Sequence, residues 1–426
     1  MFCRADVDSG AEMKPVVMLH PPQQIQFFLL MMSVFTVSIG YGIALPILPF
    51  LLENRFGGGA SFLVSWHTGM MTGVFMFMLF ICAPLWGGIS DRLGRRPVIL
   101  IGLGGSVIAL VLFGIAQQLW FSYLMRALGG AAASAVLPVS LAYISDTYSK
   151  ELRARRFAWM SASATLGFLI GPVVGGWLIS IDLSSKTTAI DALSFPFIIA
   201  GVFGLIIWIA LYIKLSEPAV IESNSEIIAE KTNIQPTSSN ILLFLALLGM
   251  FALGSFEVGI ALQGQQVLLL TPFQIGILYM TCSVTMLVIQ IFLFSVLIRY
   301  FSFGQIILWA MFIMAAGMGL FPLVTRFEYV LLAVALVGFS SGVLVPILAY
   351  QASLAAEISQ GAVLGKQTAA GSLGQALGSI SAGGLFSIMT QAPFWFAMGL
   401  LVAGAILGIR FSKMQSALAS KETFYN

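Results

Sequence analysis

From Phe27 to the neighbourhood of Arg410 the sequence is a succession of long apolar runs, and this constrains the chain more than any other feature. A helix that crosses the hydrocarbon core of a bilayer needs about 20 mostly apolar residues. Runs of that kind fall at 27–52, 64–86, 98–116, 120–144, 157–180 and 193–214, and again at 241–263, 272–298, 304–325, 328–350, 366–389 and 393–412. Only Gln117 and Gln118 separate the third run from the fourth. Lipid offers no partner to a backbone N–H or C=O, so runs of this length are read as helices. The expected fold class is an all-α membrane protein with twelve transmembrane helices. Composition agrees, since 59% of the 426 residues are hydrophobic and 9% are charged, against roughly 25% charged in a soluble chain. A formal charge of +3 is too small to advertise an anionic partner. A soluble enzyme and a nucleic-acid binder are excluded. Three scattered cysteines, Cys3, Cys82 and Cys282, make no disulfide framework and no metal spacing. The first run lacks an A-x-A-like cleavage site after its polar leader, so it is read as a span and not as a signal peptide.

The side of the membrane follows from Lys and Arg in the short loops. With the N-terminus inside, sixteen of the twenty Lys and Arg are cytoplasmic. Three (Arg55, Lys186 and Arg326) are outside, and Arg126 stays within a span. Both termini and the central loop are therefore expected in the cytoplasm. The layout reads as a cytoplasmic N-terminal segment 1–26, a six-helix half 27–214, a cytoplasmic linker 215–240, a second six-helix half 241–412 and a cytoplasmic tail 413–426. An internal offset supports two pseudo-symmetric halves. Gly130 and Pro138 recur 208 residues later as Gly338 and Pro346, and Gly171 recurs 207 later as Gly378. Parallel six-span halves of this kind are one known transporter architecture.

The loop after the second run reads Gly87-Gly88-Ile89-Ser90-Asp91-Arg92-Leu93-Gly94-Arg95-Arg96. A positive-inside anchor would need only its arginines and would not explain Asp91 followed by Gly94. The run resembles the signature loop of the major facilitator superfamily at every defining position: Gly87, Asp91, Arg92, Gly94, Arg95 and Arg96. The resemblance implies that Asp91 and the arginines tie helix ends together at the cytoplasmic face and release them during the transport cycle. Gly40 to Pro49, with Pro46 and Pro49, is similar to the first-span pattern of the twelve-span drug:proton antiporters of that superfamily. Gly167, Gly171, Pro172, Gly175 and Gly176 resemble the antiporter signature of the same branch. Gly167, Gly171 and Gly175 also share one helix face, where small residues allow close backbone approach, and Pro172 removes a backbone donor. Arg126-Ala127-Leu128-Gly129-Gly130 is a partial match to the family's Arg-x-x-Gln-Gly signature, with Gly129 in place of Gln.

Proton coupling needs a group that changes charge while facing alternate sides, and a carboxylate within the membrane is suited to it. Glu257 is the one acid well inside a predicted span. It is read as the proton-coupling candidate, with Arg126 as its possible partner, or else as a structural carboxylate near the rim. Arg126 itself either pairs within the bundle or snorkels to the interface. The first span lacks the acid that many antiporters of this branch carry, and it offers Tyr41. Gln263, Gln265 and Gln266, near the outer end of the seventh span, bind a polar solute or cap the helix in water. Gln290 and Gln375 lie deeper, where an unpaired amide is costly. Candidate cavity residues are thus Tyr41, Arg126, Glu257, Gln263, Gln290 and Gln375. With His20 and His67 as the only histidines and no nucleophile motif, no catalytic residue, metal or enzyme activity is expected. The absence of a P-loop pattern leaves the proton gradient as the energy source, with no ATP and no cofactor. The resemblance implies a monomeric secondary transporter of a bacterial inner membrane, exporting a small amphiphilic drug or metabolite by alternating access. The alternative is proton-coupled uptake of a polar solute such as a siderophore-like compound.

Overall fold

The computed structural model describes residues 21–56, 61–148, 150–180, 192–218, 236–354 and 360–406. Among these residues there are helices and short turns and no strand. The helices are α1 (Pro21–Phe56), α2 (Ser61–Leu93), α3 (Arg95–Ile115), α4 (Leu119–Thr147), α5 (Lys150–Ser180), α6 (Phe195–Lys214), α7 (Pro236–Gln266), α8 (Pro272–Val288), α9 (Phe294–Tyr300), α10 (Phe303–Leu320), α11 (Phe327–Leu354) and α12 (Gln360–Ile388), followed by α13 (Ala392–Ile406). A π-helical segment, Ile289–Leu293, joins α8 to α9. Capping boxes start α8 and α10, where Thr271 with Gln274 and Ser302 with Gln305 satisfy the first backbone donors.

Ten helical stretches among the described residues are long and apolar enough to cross a membrane. The expected twelve differ at the C-terminal end. α12 is rich in Gly, Ser and Gln, so its hydropathy falls although its length does not. The last run is described only as Ala392–Ile406, and 407–412 lie outside the described residues, as do 1–20, 219–235 and the tail 413–426. Two expected boundaries move: α1 begins at Pro21, inside the segment 1–26, and α7 begins at Pro236, inside the linker 215–240. The gap at Gln117 and Gln118 does separate α3 from α4.

The helices are apolar on every face, as in a bundle buried among its neighbours and in lipid. Ile108, Leu205, Ile213, Ile291, Phe292 and Trp309 are among the large apolar side chains on the outer surface, each at least half exposed. Inside, glycines set the spacing. α1 packs on α5 as α7 packs on α12, and α2 packs on α4 as α8 packs on α11. Gly167 faces the carbonyl of Phe35, and Gly374 that of Leu247; Gly130 faces Phe75, and Gly338 faces Cys282. Each second contact repeats the first some 207 to 212 residues later.

Two further contacts, α2 with α12 and α5 with α8, cross between these groups at one end of the bundle. A Cβ on Gly69 would stand 2.7 Å from the Gly383 Cα, and one on Gly176 would stand 2.6 Å from the Phe273 Cα. At the other end, Gly87 and Gly88 of α2 and Gly365 of α12 have nothing within 4 Å of such an atom. The bundle is closed at the end holding Gly69 and open at the end holding the loop 87–96.

Candidate functional site: a buried carboxylate and a buried guanidinium

Arg126 and Glu257 are the two buried charged residues among those described, at 3% and 4% exposure. Glu257, on α7, is not a rim carboxylate. Its Oε2 accepts from the Tyr41 hydroxyl of α1 at 3.0 Å, and Gln375 Nε2 of α12 donates to Oε1 at 3.0 Å and Oε2 at 2.9 Å. The Tyr279 hydroxyl of α8 donates to the Glu257 main-chain carbonyl. Close packing of α7 on α12 sets this up, because Gly254, one turn from Glu257, lies directly against the Gln375 backbone. Three helices, α1, α7 and α12, therefore meet at the carboxyl group and α8 joins them at the Glu257 backbone, and each buried polar atom of the cluster has a partner, as a low-dielectric interior demands. The repeat does not duplicate it: the residues at the corresponding offsets are Leu45 for Glu257 and Phe168 for Gln375.

Arg126, on α4, neither snorkels nor pairs with Glu257. Its guanidinium carbon stands 5.1 Å from the Phe75 ring centroid and 5.0 Å from that of Phe113. Its Nε and Nη2 have no hydrogen-bond partner. Tyr41, which bonds to Glu257 and lines the same cleft as Arg126, is stacked on Phe75 at 5.2 Å and on Phe168 at 5.9 Å. A small cleft opens beside Arg126, lined also by Tyr41, Phe75 and Phe113.

Two larger clefts repeat one another. One, of about 590 Å³, is lined by Val34, Val37, Ser38 and Tyr41 of α1 together with Ala133, Val136, Leu137 and Ala164. The other, of about 790 Å³, is lined by Ala246, Gly249, Met250 and Leu253 of α7 together with Ser341, Leu344, Val345 and Gly371. The α1 and α7 residues correspond at an offset of 212, and the others at 207 or 208. The first is aromatic, with Phe75 and Phe168; the second is aliphatic, with Met250 and Met314.

The loop 87–96 is tighter than its sequence suggests, because α2 runs through Asp91 to Leu93 and only Gly94 lies between α2 and α3. Gly94 has φ +96°, which favours glycine. Arg95 Nη1 pairs with Asp91 at 2.5 Å, and its Nε pairs with Asp146 of α4 at 2.8 Å. Sequence reasoning did not select Asp146, although an acid in the last turn of a helix opposes the helix dipole and calls for a cation. Nor did it select Glu217, whose carboxylate accepts from the backbone N–H of Arg95 and, at 3.0 Å, of Arg96, and so caps α3. The antiporter signature lies between two neighbours. A Cβ on Gly167, Gly171 or Gly175 would meet α1, while the Pro172 carbonyl faces Gly276, and Gly176 faces Phe273, both of α8.

The amides at the closed end are not solvated helix caps. Gln263 and Gln265 are buried. Gln265 Nε2 donates to Glu53 Oε2 of α1 at 2.7 Å, and Gln266 Nε2 donates to the Ser65 hydroxyl of α2 at 3.1 Å. These bonds tie α7 to α1 and α2. Gln290 sits half-buried in the π-helical segment, and no described hydrogen bond joins it to the Glu257 cluster. No group of His, Cys, Asp and Glu among the described residues could hold a metal ion.

The sequence profile of the Major Facilitator Superfamily matches residues 30–356. The chain belongs to that superfamily. Among curated relatives, "Multidrug resistance protein 1" of Bacillus subtilis (strain 168) is 27% identical over 91% of this chain and 96% of its own length. "Quinolone resistance protein NorA" of Staphylococcus aureus is 25% identical over 90% of this chain and 95% of its own. The fold is similar to that of a bacterial homologue of the human lysosomal transporter Spinster in an inward-facing, unoccupied conformation, with a TM-score of 0.73 and 14% identity over 92% of this chain and 96% of that one. It is also similar to the human organic anion transporter MFSD10, with a TM-score of 0.65 and 20% identity over 91% and 100%. The superfamily fold is that of a multi-pass membrane transporter, and ten apolar helices fit it.

Proposed function

We propose that the chain is a proton-driven exporter of small amphiphilic molecules, working by alternating access, with Glu257 as the group that carries the proton. The observation that carries this reading is the Glu257 cluster. A carboxyl group that is buried at the meeting point of α1, α7, α8 and α12 changes its surroundings whenever those helices move. Its charge state is then tied to which end of the bundle is open. The names of the two curated relatives, concerned with multidrug and quinolone resistance, support export of amphiphiles. Clefts with aromatic and Met-lined walls suit such molecules, since a polarizable, adaptable wall accepts many shapes.

Twelve spans in two six-helix halves complete this picture, with 27–214 and 241–412 as the halves. The recurring glycine contacts and paired clefts support it. The excess of Lys and Arg on one side supports cytoplasmic termini, an inner-membrane location and an inward-open state, in which the loop 87–96 lies at the open, cytoplasmic end. The chain is read as a monomer that uses neither ATP nor a cofactor and performs no catalysis.

The test is transport of a fluorescent amphiphile by inverted vesicles with an acid interior. Export requires accumulation that collapses when a protonophore dissipates the gradient. Accumulation only in right-side-out vesicles would transfer the protein to symport, and accumulation that persists without a gradient would exclude proton coupling. In the same assay Asp91→Lys is expected to stop turnover while leaving membrane insertion intact. Its pair with Arg95 is largely exposed, with the Asp91 side chain 63% accessible, so losing the pair costs little stability. The added lysine would repel Arg92, Arg95 and Arg96 whenever the helix ends approach. Transport by Asp91→Lys at the wild-type rate would remove the loop from the cycle.

A further inference from the structure

We propose that the aliphatic cleft between α7, α10, α11 and α12 is a binding site for small uncharged molecules that carry one hydroxyl group on an apolar body, alkylphenols being the simplest. The inference rests on the transport reading above and narrows it to a substrate class for this cleft.

Ser341 and Gln367 line the cleft, and each holds an idle polar atom. The Ser341 hydroxyl and Gln367 Oε1 are buried and have no hydrogen-bond partner, and Ser341 is 2% exposed. A buried hydroxyl in a helix commonly returns to a carbonyl one turn back, as Thr36, Thr72 and Ser134 do. Ser341 does not. An unpaired polar atom away from water is costly, and a ligand in the cleft supplies the partner that the chain itself lacks. Ser140 and Ser255 are idle too, but they line none of the three clefts.

Packing alone does not require these two polar groups. At the offsets that relate the two larger clefts, Ala133 stands where Ser341 does and Met160 where Gln367 does. Ala133 lines the aromatic cleft and Met160 is fully buried, so the corresponding helices pack there without a hydroxyl or an amide at these places.

The remaining wall sets the body of the ligand. Met250, Leu253, Met314, Leu344 and Leu348 make it apolar and adaptable, and no charged side chain is in the lining. Thr368 and Ser372 complete the polar lining, and Thr368 is already engaged. About 230 Å³ of the cleft is space that the centre of a water molecule can occupy. An apolar cavity of about 150 Å³ accepts benzene, so one ring with a short alkyl chain fits. A hydroxyl suits the two idle atoms, because it donates to an amide oxygen and exchanges a bond with another hydroxyl. A carboxylate only accepts and has nothing to offer Gln367 Oε1, and an ammonium would enter a wall with no counter-charge.

The experiment uses the purified full chain in detergent at about pH 7.5, where a phenol is neutral and a simple carboxylic acid is ionised. Three probes share one ring and one chain: para-propylphenol, its methyl ether para-propylanisole, and para-propylbenzoate. Calorimetry, with the heat of protein-free micelles subtracted, should show the wild type binding the phenol about fivefold more tightly than the ether, the scale of one neutral hydrogen bond. The benzoate should bind more weakly than either. Ser341→Ala, which installs the residue found at the matching place in the first cleft, should narrow the preference, and Ser341→Ala with Gln367→Leu should abolish it while keeping affinity for the ether. Ala349→Leu, which narrows the cleft, should weaken phenol and ether alike. Equal wild-type affinity for phenol and ether, tighter binding of the benzoate, or an unchanged preference in Ser341→Ala and in the double variant would each overturn the proposal. The wild-type and Ser341→Ala comparisons decide the matter even if the double variant does not fold. The phenol preference without gradient-driven transport would leave the site standing and remove the transport reading. Gradient-driven transport of amphiphiles without that preference would do the reverse.

Discussion

Gly171→Leu is expected to abolish transport and to lower the melting temperature of the purified protein sharply, whereas Gly87→Ala leaves the melting temperature unchanged. Even a Cβ at residue 171 would stand 2.7 Å from the Ile39 carbonyl oxygen and 3.0 Å from the Gly42 Cα. Both neighbours are backbone, so relief requires the whole of α1 to move away from α5. Inserting bulk into a packed core typically costs about 1–3 kcal/mol, and a leucine against backbone belongs at or above the top of that range. The displacement would spread, because Pro172, the next residue, packs on Gly42 of α1 and presents its carbonyl to Gly276 of α8. The contact through which α5 meets α8 would be lost together with that between α5 and α1. Gly87 has open space around it and is the internal control. Thermal unfolding followed by intrinsic fluorescence, with transport in vesicles, measures both effects. Wild-type melting and transport in Gly171→Leu would show that these backbones do not need to touch.

The sequence speaks most clearly where the physics is local. Run length, polar breaks and the Lys and Arg bias lay out the helices because each span must satisfy its own backbone within lipid. The glycine ladder is legible for the same reason, since a four-residue spacing puts Gly167, Gly171 and Gly175 on one face whatever lies opposite. α12 is the exception: its Gly, Ser and Gln content serves close packing with α7 and α2, and that lowers the hydropathy from which a span is read. Glu257 is visible as an acid far from any break, but its partners are not. Tyr41 is 216 residues away in sequence and Gln375 is 118, and both arrive through helix packing that no local pattern encodes. Likewise Asp146 and Glu217 reach the loop 87–96 from α4 and from the segment after α6. The expectation that Arg126 partners Glu257 came from similar depth in two spans. Depth says nothing of direction, and in the fold Glu257 is bonded to Tyr41 and Gln375 while Arg126 lies over the rings of Phe75 and Phe113. The three amides near the end of α7 read as a wet helix terminus because they are polar and close to a break. Gln265 and Gln266 are instead fastened to Glu53 and Ser65 across the closed end, and Gln263 is buried.

Replacement of Glu257 by glutamine has the second large expected effect, and it is confined to coupling. The amide keeps the size and planarity of the carboxyl group. It can still accept the Tyr41 hydroxyl through its oxygen and stay within reach of Gln375, so the convergence of α1, α7 and α12 is retained. What disappears is the exchangeable proton. The clefts on either side are formed by other residues and should bind amphiphiles as before. A wild-type exporter links proton entry to the closing of one end and the opening of the other, and the variant has nothing to link. Downhill movement of substrate can continue, and uphill movement cannot.

The deciding measurement uses the Glu257→Gln variant reconstituted in vesicles with an imposed proton gradient, with accumulation of the amphiphile and its equilibrium binding measured on the same preparation. Binding within about twofold of wild type, with accumulation against the gradient reduced to background, is the predicted result. Wild-type accumulation with its usual dependence on the proton gradient would place the coupling proton on another residue and contradict the central claim.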